Sequence, residues 1–205
     1  MKVRNKLPKM NEAVHVELIQ NGWKEMKVPQ SLTVAILLSI PFMILNGIAA
    51  LWMINLFSGI TLNEFGMTTQ QDSLTITVNL GIILLIFLLV FIHELLHLIF
   101  IPNFLRSENT TIGLTLFGGY VATEEVITKS RYIIITVAPF IIISMLLPMV
   151  LGIIGALTPS MKLLIFVNAM ASSVDILNLM FILINIPRKA IITNNGTKTY
   201  WKRSN

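Results

Sequence analysis

The sequence predicts an all-α membrane protein: a four-transmembrane-helix bundle with a small cytoplasmic β-hairpin between the second and third helices. Three observations carry this. The 205-residue chain is 55% apolar and only 12% charged, against ~45–50% and ~25% in an ordinary soluble domain. Four stretches reach the ~20 mostly apolar residues that a helix needs to cross a bilayer. Fourteen of the 15 basic residues then fall on one side of the alternation those stretches define. With a mean hydropathy of +0.79, this composition excludes a soluble enzyme, a disordered tail or a nucleic-acid binder as the default reading. The chain has no cysteine and three histidines, so a metal would have to be held by His, Asp, Glu or backbone oxygen.

The first expected span is 31–57, with Pro41 and Gly47 as kink points; the second is 77–101. The third, 131–157, contains Pro139 and Pro148, and the fourth is 161–186. Only Thr158-Pro159-Ser160 joins the last two, so they should form a tight antiparallel pair. Residues 1–30 read as a basic amphipathic segment on the inner leaflet and 187–205 as a cytoplasmic tail. The polar lead-in is too long for the basic start of a signal peptide, so the first span is expected to be retained. Basic residues mark the cytoplasmic side of membrane proteins. Lys2, Arg4, Lys6, Lys9, Lys24 and Lys27 precede the first span, Arg106, Lys129 and Arg131 lie between the second and third, and Arg188, Lys189, Lys198, Lys202 and Arg203 follow the fourth. Lys162 alone falls on the other side. The expectation is a multi-pass protein of the cell membrane with both termini in the cytoplasm.

An ionisable group at the centre of a bilayer costs ~2.5–3.5 kcal/mol even on lenient scales, and marks function or a partner. Apart from the flanking Arg131 and Lys162, the spans contain His93, Glu94, His97 and Asp175. Three of these spell His93-Glu94-Leu95-Leu96-His97. Positions i and i+4 share a helix face, so both imidazoles can reach one ion while Glu94 projects beside it. This is the pattern of zinc hydrolases, with two His ligands and a Glu as general base. The bland alternative is a His pair bonded to neighbouring helices, but no cation lies within the spans to pair with Glu94. Catalytic zinc takes three protein ligands and an exchangeable water. Asp175 is the natural third ligand, with His15, Glu108, Glu124 and Glu125 as competitors in the polar segments. Asn168, Ser172, Asp175 and Asn178 share one face of the fourth span, which should turn into the bundle; Ser172 and Asn178 read as interhelical hydrogen-bond glue.

Between the second and third spans, Thr111–Leu116 alternates with period two, Phe117-Gly118-Gly119 reads as a turn, and Tyr120–Thr123 as a second strand. A hairpin directly after the motif helix could present an edge to an extended peptide, or merely plug that face.

With these residues in view, the chain resembles the zincin peptidase family of small bacterial membrane proteins, itself similar to a distant, minimal form of site-2 proteases. The resemblance runs from Glu17-Leu18-Ile19 and Gly22-Trp23-Lys24 through Pro29, His93-Glu94-Leu95-Leu96-His97, Gly118-Gly119-Tyr120 and Ala138-Pro139 to Asn168 and Ser173-Val174-Asp175-Ile176. Site-2 proteases follow their Asp ligand with Gly; here Ile176 stands in that place. The resemblance implies one zinc ion on His93, His97 and Asp175, with Glu94 catalytic. It implies an oxyanion or substrate-positioning role for Asn168, Tyr120, Gly118 and Gly119. The expected activity is zinc-dependent intramembrane cleavage of a single-pass membrane protein or peptide near the cytoplasmic leaflet, with the lipid bilayer as surroundings and no nucleic-acid partner. The alternatives are a non-catalytic membrane protein with a structural or sensory metal, and a small transporter. The apolar run Leu80–Ile92, broken only by Gly81, leaves the transporter no polar path.

Overall fold

The computed structural model describes residues 2–3, 8–29, 31–65, 67–70, 73–76, 80–115 and 118–204. Among the described residues, four helical stretches are long and apolar enough to cross a membrane: Thr33–Asn55, Leu80–Ile99, Lys129–Ile153 and Pro159–Asn185. They fall within a few residues of the expected spans. Thr77, at the expected start of the second, lies outside the described residues, as do Asn79 and the basic residues Arg4 and Lys6.

The helices are α1 (Glu12–Gln20), α2 (Leu32–Asn55), α3 (Leu80–Ile99), α4 (Lys129–Pro139), α5 (Leu147–Ile153), α6 (Pro159–Ala171) and α7 (Ser173–Asn185). α2 runs through Pro41 without a break, and α3 is continuous. The third span is not. Pro139 ends α4 and a π-helical segment, Phe140–Leu146, carries the chain into α5. Proline cannot donate to the helix ladder, and π-turns are a common way to absorb that defect. The fourth span pauses at Ser172, between α6 and α7. α6 begins as helices with an initial proline do: Thr158 accepts from the Met161 amide and Pro159 takes the first position.

The all-α expectation needs amendment, because the fold is mostly helical but carries β-sheet as well. The expected hairpin is present as β5 (Thr110–Thr115) and β6 (Gly118–Thr123), with Lys2–Val3 (β1) lying parallel on the β5 edge. Its register pairs Thr115 with Gly118. Gly118 and Gly119 are therefore strand residues rather than turn residues. Leu116 and Phe117 lie outside the described residues. A second sheet has the order β2-β9-β8-β7, from Lys24–Glu25, Lys198–Arg203, Ala190–Asn195 and Ile127–Thr128. A further hairpin pairs Met67–Gln70 (β3) with Ser73–Ile76 (β4).

The chain divides into two compact units. One holds Met1–Ala35, Glu94–Ala138 and Asp175–Asn205. The two ends of the chain, read from sequence as a separate segment and tail, fold together there. Asn11 and Asn195 exchange backbone and side-chain hydrogen bonds of 2.9 and 2.8 Å, and the Met26 amide donates to the Thr199 carbonyl at 2.8 Å. Met26, Ile182, Ile186, Ala190 and Ile192 form the core beneath. β8 is buried at Ala190, Ile192, Thr193 and Asn195, on both of its faces. That pattern is obscured in the sequence because Thr and Asn occupy buried positions.

The other unit holds Ile36–His93 and Pro139–Val174. Ala50, Ile54, Ile165 and Ala169 form its core, joining the first and fourth spans, with Phe140, Leu147 and Leu151 of the third packed against them. Lys162 is only 2% exposed. Its ammonium donates to the Gly59 carbonyl and to Glu64, both at 2.7 Å. Glu64 lies in the 3-10 turn Leu62–Phe65, so one ion pair ties that turn to α6.

The Lys162 ammonium beside Glu64 holds its carboxyl below the usual carboxylate range, helped by the Thr61 amide. A carboxyl with a folded pKa below its unfolded value of about 4.3 contributes stability at neutral pH. That contribution is lost as the pH falls through the folded value. Glu64→Gln is therefore expected to melt at a lower temperature than the parent at pH 7, with a smaller gap at pH 3. Thermal melts in detergent at both pH values check this, and a gap that is the same at both refutes it.

Candidate metal centre

α3 carries the motif. Its residues are almost wholly aliphatic up to His93, so the three ionisable groups occupy one turn of an otherwise inert helix. One nitrogen from each of His93 and His97 and one carboxylate oxygen from Asp175 lie within 4.8 Å of one another. Among the described residues this is the group of His and acidic side chains that can hold a metal ion. Three of the competing ligands are engaged elsewhere. Glu125 accepts from Ser107 at 2.6 Å, Glu124 from the Gly196 amide at 3.2 Å, and His15 meets Tyr200 at 2.7 Å.

The imidazoles are oriented from behind. His97 Nδ1 lies 2.7 Å from the Ile135 carbonyl oxygen. A carbonyl only accepts, so Nδ1 carries the hydrogen and in the neutral ring Nε2 keeps its lone pair. That Nε2 lies 3.6 Å from Asp175 Oδ1. The distance is too long for a charge-assisted hydrogen bond, which spans about 2.7–2.9 Å. It is close to the separation of two ligands on a tetrahedral zinc, about 3.3–3.5 Å for bonds of about 2.0–2.2 Å. Two acceptors facing each other at this range require a positive charge between them or on the ring. The donor set and the spacing both fit a zinc ion.

Ile135 can accept His97 because of Pro139. In a regular helix the amide of residue 139 would donate to the carbonyl of residue 135, and proline has no amide hydrogen. Pro139 acts at His93 too. Its own carbonyl accepts from Asn168 Nδ2 at 3.2 Å, and Ser144 of the π-helical segment accepts from the same nitrogen at 2.9 Å. These two acceptors fix the orientation of the amide, so Asn168 Oδ1 faces His93 Nδ1 at 2.9 Å and accepts its hydrogen. Asn168 is 1% exposed. An oxyanion role for it is thus corrected: both amide hydrogens and the oxygen are committed, and none is left to meet a substrate. It orients a histidine instead, as partners behind metal-binding imidazoles do.

Glu94 is buried. Strand β6 passes directly over it: a Cβ on Gly119 would overlap the Glu94 side chain. Glycine is required there by the close approach. Gly118 precedes it in the strand, and Tyr120, half-buried, pairs with Gly113 across the hairpin. Asp175 stands in the first turn of α7, three residues beyond the pause at Ser172. Ser172 donates to the Asn168 carbonyl at 2.9 Å, so it is glue within its own helix rather than between helices. The contributions that sequence reasoning missed are Ile135, a backbone acceptor without a side-chain signal, and Ser144, one polar residue in an apolar run.

Two histidines one turn apart, a carboxylate from another helix and a buried glutamate between the histidines define a centre of the metallopeptidase class. A family model described as "Putative zincin peptidase" matches residues 86–191. That is just over half of the 205-residue chain and includes every residue of the centre. The chain belongs to this family. No curated protein and no solved structure matches it.

The geometry yields a test in which fold stability and metal affinity part company. Pro139→Ala supplies an amide hydrogen that competes for the Ile135 carbonyl. It should hold or raise thermal stability, since proline inside a helix is unfavourable, yet weaken zinc binding. Asn168→Leu should weaken zinc binding about 10–100-fold, and Asn168→Asp, which keeps the acceptor for His93, should weaken it less. Zinc competition against a fluorescent chelator measures all three; parent-like affinity in Pro139→Ala and Asn168→Leu would count against this arrangement.

Proposed function

We propose that this protein is a zinc-dependent intramembrane endopeptidase acting on a single-pass membrane protein or peptide near the cytoplasmic leaflet. The observation that carries the reading is the pairing of His97 Nε2 with Asp175 at 3.6 Å, with Nδ1 of both histidines committed to oxygen acceptors. The membrane setting is supported by apolar side chains that would be costly in water: Trp52, Phe87 and Ile153 are 61%, 69% and 73% exposed. The likeness of the motif and of Asp175 to site-2 proteases supports the same reading.

Zinc, when bound, would supply a Lewis acid and lower the pKa of a bound water to about 7. The chain's own groups do the rest. His93 and His97 offer Nε2 lone pairs held in place by Asn168 and by Ile135. Asp175 contributes the negative charge that lets the site hold a dication. Glu94 takes the proton of the attacking water as the new C–O bond forms, then delivers it to the amide nitrogen as the C–N bond breaks.

An extended peptide is the form of substrate that suits the site, because the peptide bonds of a helix are shielded. β6 is the edge of its sheet, and its Gly119 lies against Glu94. A substrate strand added along β6 would meet the base with its backbone exposed.

Glu94→Gln should lower turnover of a single-span reporter in micelles at least ~10²-fold, the usual size of a lost general base, while zinc content stays at the parental level. Asp175→Ala should lose zinc. A Glu94→Gln protein that still cuts removes Glu94 from the mechanism; a parent that holds zinc and cuts nothing favours the non-catalytic alternative.

A further inference from the structure

A cavity of about 810 Å³ opens where the third and fourth spans end. Lys129 begins the one and Asn185 ends the other. Lys129, Arg188 and Arg203 line it, and no acidic residue is among the described residues around it. Lys129 is the informative member. It is 6% exposed, and its ammonium donates to the Ile186 carbonyl, just beyond the last turn of α7. Lys162, buried likewise, has Glu64 beside it. Lys129 has no carboxylate partner among the described residues. A buried ammonium held only by a neutral oxygen is costly, and a bound anion offsets that cost.

The remaining walls select among anions. Ile133, Leu183 and Ile184 form an apolar side, and Leu183 and Ile184 are 54% and 72% exposed. Trp201 stands at the rim with Lys24 5.4 Å from its ring centre. Tryptophan favours the membrane–water boundary, where one end is apolar and the other wet. A soluble phosphate compound would use the cations and waste the apolar wall. A lipid uses both.

We infer that this cavity binds the headgroup of an anionic glycerophospholipid. The phosphate sits on Lys129, Arg188 and Arg203, and the acyl chains lie along Leu183 and Ile184. Basic pockets between helix ends on the cytoplasmic side are a recurrent form of lipid recognition. An occupied cavity would bridge Lys129 at the start of α4 to the end of α7, and so brace the helix whose first turn carries Asp175. The inference rests on the reading of the four apolar helices as membrane-spanning.

The test is native mass spectrometry of the full chain released from nanodiscs. One arm uses phosphatidylglycerol mixed with phosphatidylcholine, a second phosphatidylcholine alone, and a third phosphatidylcholine with inorganic phosphate. The parent is expected to retain phosphatidylglycerol. Arg188→Gln/Arg203→Gln should retain it about 30-fold less, the loss expected for two phosphate-facing cations. Lys9→Gln/Lys27→Gln removes the same charge away from the cavity and should behave as the parent. Circular dichroism confirms that each variant is folded. Equal loss in both double variants, or equal retention of the two lipids by the parent, overturns the inference. So does saturation by inorganic phosphate alone, which would mark a soluble-anion site. A parent that does not enter nanodiscs overturns the membrane reading as well, whereas one that enters and shows no lipid preference leaves that reading, and the peptidase reading, standing.

Discussion

The missing amide hydrogen of Pro139 is the constraint on which the arrangement of the centre depends. A helix satisfies its carbonyls internally, and in an apolar environment it has strong reason to do so. One proline removes one donor, and the vacated acceptor at Ile135 takes the His97 imidazole instead. The same residue opens the π-helical segment whose Ser144, with the Pro139 carbonyl, clamps Asn168 behind His93. A single local defect in the third span therefore supplies the hydrogen-bond acceptor behind one histidine directly, and behind the other through an intermediate amide. The defect is destabilising by itself, and it persists because polar groups from elsewhere in the fold satisfy what it exposes.

The same economy of polar groups recurs at other buried positions. In a chain with 12% charged residues, no fully buried side-chain nitrogen or oxygen among the described residues lacks a hydrogen-bond partner. Asn46 donates to the Ala169 carbonyl at 3.1 Å and Ser144 to the Ile165 carbonyl at 3.3 Å, tying the first and third spans to the fourth. Hydrogen bonds of this kind contribute about 1 kcal/mol net. They do not hold the helices together by strength. They matter because each wrong register would leave a buried group unpaired at a cost of about 1–3 kcal/mol. Specificity of packing comes from these few bonds, and packing itself from the small and branched residues around Ala50, Ile54, Ile165 and Ala169.

Much of this was legible in the sequence, and the reasons for the exceptions are physical. Spans show as composition, and the His93-Glu94-Leu95-Leu96-His97 motif as spacing, both local properties of the chain. The β5–β6 hairpin shows as alternation. The sheet that joins Lys24–Glu25 to the final hairpin does not. Its strands at 24–25 and 127–128 are two residues long, and its buried positions, on both faces, include Thr193, Asn195 and Thr199 beside Ile192 and Tyr200, so no hydrophobic pattern announces it. Asn168 was visible as a polar residue on the right face of its span, but its role was not. A side-chain amide looks the same in sequence whether it stabilises an oxyanion or orients a histidine, and only its partners distinguish the two. Ile135 leaves no trace as a site residue, since it acts through its backbone; the trace is the proline four positions later.

The two histidines are thus held by different kinds of acceptor, and this has a consequence for how the site tolerates change. A carbonyl of the main chain cannot be removed by substitution, so the support behind His97 is sensitive to residue 139 and indifferent to the side chain at 135. The support behind His93 is a side chain, itself held by two further acceptors, and any one of Asn168, Ser144 or the turn that presents them can weaken it. Of the two, the His93 side is the adjustable one. Variation within the third and fourth spans can tune how firmly that imidazole is oriented, and hence the affinity of the site, while the His97–Asp175 pair keeps its spacing.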